Sequence, residues 1–265
     1  MNSPFLRVLQ NEVAKAARSK ISWFGLAVSG ALSLIVFSVA GEVFPGASTN
    51  AWGIMTLSMQ LVFTDLGLIF VIVFGAMLIA EETGSGTIRS VLAGPVHRSE
   101  FYAAKAAIAI LYAVLLSSFV LAISAGLAGL RFGFGPVADD LGVVYGGGEV
   151  LGNFLLAWLL SWIPLAAMAM YALLVSTLIE SSGAAVAAGI GIVYLVDFTK
   201  PFLGIDRYVF TRYVGYPWQV MHQVAQGVDY QWQPEVWRML AICGACALVA
   251  FAAGLGVFVR RDMNG

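Results

Sequence analysis

Charge is scarce in this chain of 265 residues. Asp, Glu, Lys and Arg together make up 11% of it, against roughly 25% in soluble domains. Water is therefore not its main solvent. Histidine is scarcer still, with only His97 and His222, far apart in the chain, so no metal or acid-base cluster is visible. The two cysteines, Cys243 and Cys246, are spaced C-x-x-C inside an apolar run with no histidine or second pair nearby. They read as small packing residues, not as a redox or zinc site. No Gly-x4-Gly-Lys-[Ser/Thr] loop occurs, so the chain has no phosphate cradle of its own. Nothing in it points to nucleic acid.

Long apolar runs fill the space that charge leaves. Residues are 60% hydrophobic and mean hydropathy is +0.88. A span needs about 20 apolar residues to cross a bilayer core, and six runs qualify: 21–40, 54–80, 101–130, 151–178, 180–198 and 238–259. The fold class expected is all-α, a single transmembrane domain over 1–265 with too little left over for a soluble catalytic domain. Ser38-Val39-Ala40 resembles a signal cleavage site, but the run before it is longer than the roughly 7 to 15 residues of a signal core. With the N-terminus inside, Arg7, Lys15, Arg18, Lys20, Arg89, Arg98, Lys105, Arg260 and Arg261 fall on the cytoplasmic side. Arg131, Lys200, Arg207, Arg212 and Arg238 fall outside. That bias predicts cytoplasmic termini and an even number of spans.

Ser3-Pro4 is a helix start, and Phe5, Leu9, Val13 and Ala16 recur at helical spacing, which predicts an amphipathic interfacial helix over 1–20. Asp65 lies within the second span; an ionisable group there marks a substrate or ion path, or a carboxylate satisfied by water or neighbours. Pro164 predicts a kink in the fourth span. Gly183, Ala187 and Gly191 give the fifth a small-residue face for close packing against the bundle or a second subunit. Gly146-Gly147-Gly148 reads as a flexible connector. The segment 199–237 is rich in aromatics, including Tyr208, Tyr213, Tyr216, Trp218 and Trp237, and is divided by Pro201, Pro217 and Pro234. It reads as an outer interfacial segment anchored at the membrane boundary, with an extracytoplasmic partner as the alternative.

Between the second and third spans, residues 81–100 begin with Glu81-Glu82. Ile88, Val91 and Leu92 share a helical face and Gly94-Pro95 supplies a stop. Ser99 then caps the third span, with Glu100 in its first turn. A short amphipathic helix held between two spans can dock in a groove of a soluble partner, with Glu81, Glu82, Arg89 and Arg98 fixing its orientation. The plainer reading is an ordinary loop.

This stretch resembles the ATP-binding-cassette type-2 permease family. The motif is carried by Glu81 and Glu82, Gly86-Thr87-Ile88, Pro95-Val96, Arg98 and Lys105, and the basic N-terminus, six spans and long outer segment extend the likeness. The resemblance implies that 83–94 is a coupling helix docking on a separate ABC ATPase, through Glu81, Glu82, Gly86, Thr87, Ile88, Arg89, Leu92, Pro95 and Arg98. It also implies two ATPase copies and a second, identical permease in the bilayer of a bacterial cytoplasmic membrane. No cofactor is expected in this chain, ATP and Mg belonging to the partner, and the chain itself is not expected to be an enzyme. His97 reads as a variable contact. A secondary transporter using Asp65, or a scaffold passing force to an outer protein, are the rival readings.

Overall fold

The computed structural model describes residues 4–43, 50–88, 97–139, 142–228, 231–233 and 235–260. Among them are nine α-helices: α1 (Pro4–Arg18), α2 (Lys20–Val43), α3 (Ala51–Leu61), α4 (Gly67–Gly84), α5 (Arg98–Arg131), α6 (Gly147–Leu178), α7 (Ser182–Thr199), α8 (Tyr216–Ala225) and α9 (Glu235–Arg260). Six of these, α2, α4, α5, α6, α7 and α9, are long and apolar enough to cross a membrane. The expected all-α polytopic architecture is thus the observed one.

The chain is wound around α6, which packs against α4, α5, α7, α8 and α9. In its most apolar stretch 61% of residues are buried, against 17% in α7 and 22% in α9, so α6 is the axis and the latter two lie at the periphery. Small residues bring α4 onto α6. A Cβ on Gly75 would lie 2.7 Å from the Cβ of Ala172, and Ala76 and Ala80 are fully buried beside it. Ser176 of α6 then accepts hydrogen bonds from the backbone N–H groups of Ile79 and Ala80, both at 2.9 Å. Close backbone approach plus a hydroxyl bridge replaces the hydrophobic driving force that lipid cannot supply.

The second span departs from a plain helix. Between α3 and α4, Val62–Leu66 forms a π turn, a register defect that concentrates at functional positions. Gly67 makes it possible, because a Cβ there would lie 2.2 Å from Val62 Cγ1 and 2.5 Å from the Val62 carbonyl oxygen. Asp65 stands in this turn.

Several expectations change in detail. Between α5 and α6 a short antiparallel hairpin, β1 (Val137–Asp139) and β2 (Gly142–Tyr145), joins the helices. Gly147 and Gly148 open α6 and are not a flexible connector. Pro164 lies inside that helix and is buried. The small-residue face of α7 does not pack into the bundle: Ala185, Gly189 and Val193 are its buried positions, while a Cβ on Gly183 or Gly191 would meet nothing within 4 Å. Within 199–237 the aromatics divide. Tyr208 and Trp237 are exposed, but Tyr213 and Trp218 are fully buried and Tyr216 nearly so. Trp218 packs on Phe154 of α6, so α8 is a plug in the bundle core and these three rings are not boundary anchors. Cys243 and Cys246 are free thiols, the first buried and the second half-buried.

Candidate functional site

The loop that leaves α4 is set by a helix stop. Gly86 has φ of +71°, the left-handed region that glycine adopts without strain, and its N–H donates to the Thr83 carbonyl at 3.1 Å. That is a left-handed helix termination. Thr87 holds the turn from the other side, its hydroxyl 2.9 Å from that of Ser85 and 3.4 Å from the Glu82 carbonyl oxygen. The Gly-Thr pair is therefore a device that ends α4 and redirects the chain. Glu81, Gly86 and Thr87 are exposed. Ile88 is not: it is buried in the chain's own core, which makes it the anchor of the loop instead of a surface for a partner. Arg89, Leu92 and Pro95, with the rest of the expected coupling helix to residue 94, lie outside the described residues.

On the far side of the loop, α5 starts earlier than expected. His97, not Ser99, is its N-cap residue, because the Glu100 carboxylate reaches back to accept the His97 N–H at 3.3 Å. Arg98 does not project as a free docking charge. It donates to the Val259 carbonyl at 2.9 Å, satisfying an orphan acceptor at the end of α9.

Glu82 belongs to a closed ring of alternating charge that joins three helices. Lys105 of α5 contacts Glu12 of α1 at 2.6 Å and Glu82 of α4 at 2.7 Å. Lys15 of α1 contacts the same two carboxylates at 2.9 and 2.7 Å. Lys105 and Glu12 are only 2% and 3% exposed, so the pair is held away from water and each group's contact with its partner offsets the cost of burying it. Lys15 is half-exposed; burial opposes its charge, but hydrogen bonds to Glu82 and Glu12 and their negative charges outweigh that, holding its ammonium above the usual lysine range.

Glu12 escaped sequence reasoning. The apolar stripe expected on α1 is turned: Val8 and Glu12 are buried, with Phe5, Leu9 and Ala16 half-buried, while Val13 is exposed. Helix α1 thus docks on α5 through a face that carries a carboxylate. The signal was present, since Glu12 falls one turn from both Val8 and Ala16 and a charge on an apolar stripe requires a partner.

At the opposite end, Asp197 and Lys200 at the end of α7 meet Asp206, Thr211 and Arg212. Lys200 contacts Asp197 at 2.5 Å and Asp206 at 3.6 Å, and Arg212 pairs with Asp206. With Thr64 of the π turn and Gln219 of α8 they line a cavity of about 320 Å³. Asp65 is the next residue after Thr64.

Six helices long and apolar enough to cross a membrane, with a short hydrophilic loop tied to the N-terminal helix, define the class of multi-pass membrane proteins. A family model described as ABC-2 family transporter protein matches residues 8–197. The chain belongs to that family and is a membrane-spanning subunit of an ABC transporter. The match takes in α1, five of the six candidate spans and the loop after α4, and stops at Asp197, before the outer segment and α9. A search among curated proteins finds no match.

Proposed function

We infer that this chain couples ATP hydrolysis by a separate ATPase subunit to export of a substrate across a bacterial cytoplasmic membrane, with both termini in the cytoplasm. The observation that carries this reading is the charged ring. It ties Glu82, at the start of the exposed loop, to α1 and α5 at once, so a push on residues 81–88 reaches three helices without passing through a flexible segment. The ATPase docks on the exposed residues Glu81, Gly86 and Thr87 and on the segment 89–95, including Arg89, Leu92 and Pro95. Glu82, Ile88 and Arg98 serve inside the bundle to hold the loop. ATP and Mg are bound by the ATPase, two copies of which act with two permeases. The open Gly183/Ala187/Gly191 face of α7 suits a second copy of the chain, with the substrate route between the copies.

Asp65 belongs to the route in this reading, since it stands in a π turn beside the polar cavity at the α7 end. An ion-coupled transporter is the rival, and the same π turn favours it. Transport that persists without any ATPase and is lost in Asp65→Asn would select the rival. For coupling, Glu81→Lys in the reconstituted complex is expected to lower ATPase association and stimulation while leaving thermal stability unchanged, because Glu81 is exposed. Unchanged association and stimulation together with the corresponding change at Arg89 would sink the coupling role of the loop.

A further inference from the structure

The ring of charges forms one wall of a cavity of about 750 Å³ between α1, the start of α2 and the end of α4, within the roughly 300–1,000 Å³ of small-molecule sites. Its two ends differ in chemistry. The rim carries Arg18, Lys20 and Glu81, all exposed, whereas the depth is lined by Ile21, Phe74 and Leu78. From Glu82 to Phe74 is eight residues of helix, about 12 Å, the distance from a headgroup into the upper acyl chain. The rim lies at the level of a membrane boundary. Trp23, 62% exposed, donates its indole N–H to the Ala17 carbonyl at 2.8 Å, and exposed tryptophan marks the boundary.

The charges at the rim select further. Lys15, Lys105, Glu12 and Glu82 neutralise one another. Among the described residues, Arg18 and Lys20 have no ion-pair partner, and neither has Glu81. Two cations and one carboxylate remain, which match a phosphate joined to a hydrogen-bond-donating ammonium. The second carboxylate oxygen of Glu82, buried and accepting no hydrogen bond, adds an acceptor on the same side.

We propose that this cavity is a binding site for an aminophospholipid of the ethanolamine type. Its phosphate sits between Arg18 and Lys20, its ammonium donates to Glu81, and one acyl chain runs along Phe74 and Leu78. Occupied, the site wedges a lipid between α1 and α4 beside the Lys105–Glu82 pair. The proposal needs only that the protein spans a membrane and holds whether or not the loop receives an ATPase.

The test is native mass spectrometry of the full chain, with any subunit that co-purifies, after delipidation. It is titrated in turn with dioleoyl phosphatidylethanolamine, dioleoyl phosphatidylcholine and free phosphoethanolamine. Phosphatidylcholine presents the same phosphate and chains, but its quaternary ammonium donates no hydrogen bond. The expected result is one tightly held phosphatidylethanolamine per chain, several-fold weaker phosphatidylcholine, and no retention of phosphoethanolamine. Arg18→Gln and Lys20→Gln each weaken retention about fivefold, whereas Arg131→Gln does not. Ala16→Phe, which fills the cavity, abolishes retention. Equal retention of the two lipids, or retention unchanged in the two charge variants, overturns the proposal. Binding of free phosphoethanolamine as tight as that of the lipid also overturns it, by removing the role of the acyl chain.

Discussion

The two ends of the bundle each hold a balanced cluster of two cations and two carboxylates, and they are built to different standards. At the α1 end Lys105 and Glu12 are 2% and 3% exposed and the cluster joins three helices. At the α7 end Asp197 and Arg212 are 47% and 48% exposed, and the cluster links one helix end to the segment that follows it. A buried pair cannot open without stranding a charge, whereas an exposed pair trades partners with water. The α1 end is therefore a rigid joint and the α7 end a soft one. A joint meant to transmit motion belongs to the first kind.

The most severe challenge to this contrast is Lys105→Met. It leaves the Glu12 carboxylate buried without its closest partner and should lose about 3–5 kcal/mol, read by chemical unfolding in mixed micelles. Adding Glu12→Gln should recover part of that loss. Next comes the junction between the ends. Gly67→Ala drives a Cβ into Val62 and should cost about 1–3 kcal/mol. Gly126→Ala, in open space on α5, should be neutral or stabilising by up to about 1 kcal/mol. At the soft end, Arg212→Gln should cost no more than about 1 kcal/mol. A loss there equal to that of Lys105→Met would erase the distinction between the ends.

How much of this was legible in the sequence follows from what each feature depends on. Spans depend on apolar length alone, so all six were legible. The helix stop at Gly86 was not: the sequence placed 83–94 in one helix with its stop at Gly94-Pro95, whereas Thr83 and Gly84 finish α4 and the left-handed Gly86 ends it. The ring was half legible. Lys105 stood out through the resemblance, but its partner lies 93 residues away, and no local pattern encodes which helices meet. The aromatics of 199–237 misled because tyrosine and tryptophan suit both a membrane boundary and a core; only packing decides, and Trp218 went inside. The π turn was invisible, since Gly67 inside an apolar run reads as an ordinary small residue until its closeness to Val62 is known.

The smallest expected effect is in pH, where the two ends should respond in opposite directions. Lys15 is held above its ordinary range, so its contribution is complete below about 10.5 and is lost as pH rises through the folded value. His222 of α8 is pushed below 6.5 by burial. Its neutral form is the favoured one, so its contribution is complete above that value and declines as pH falls through the folded one. Unfolding midpoints across both windows, repeated with Lys15→Met and His222→Gln, should lose the alkaline and the acid dependence respectively.

The central claim, that the exposed loop after α4 receives the ATPase, is tested most directly by cross-linking from a single introduced cysteine. Thr87→Cys and Thr199→Cys place the probe at the two ends of the bundle in otherwise identical membranes. The account predicts that the first captures an ATP-hydrolysing subunit and the second does not. Capture from position 199 alone, or no ATP-binding chain captured from position 87 in a membrane where the complex is active, would contradict it.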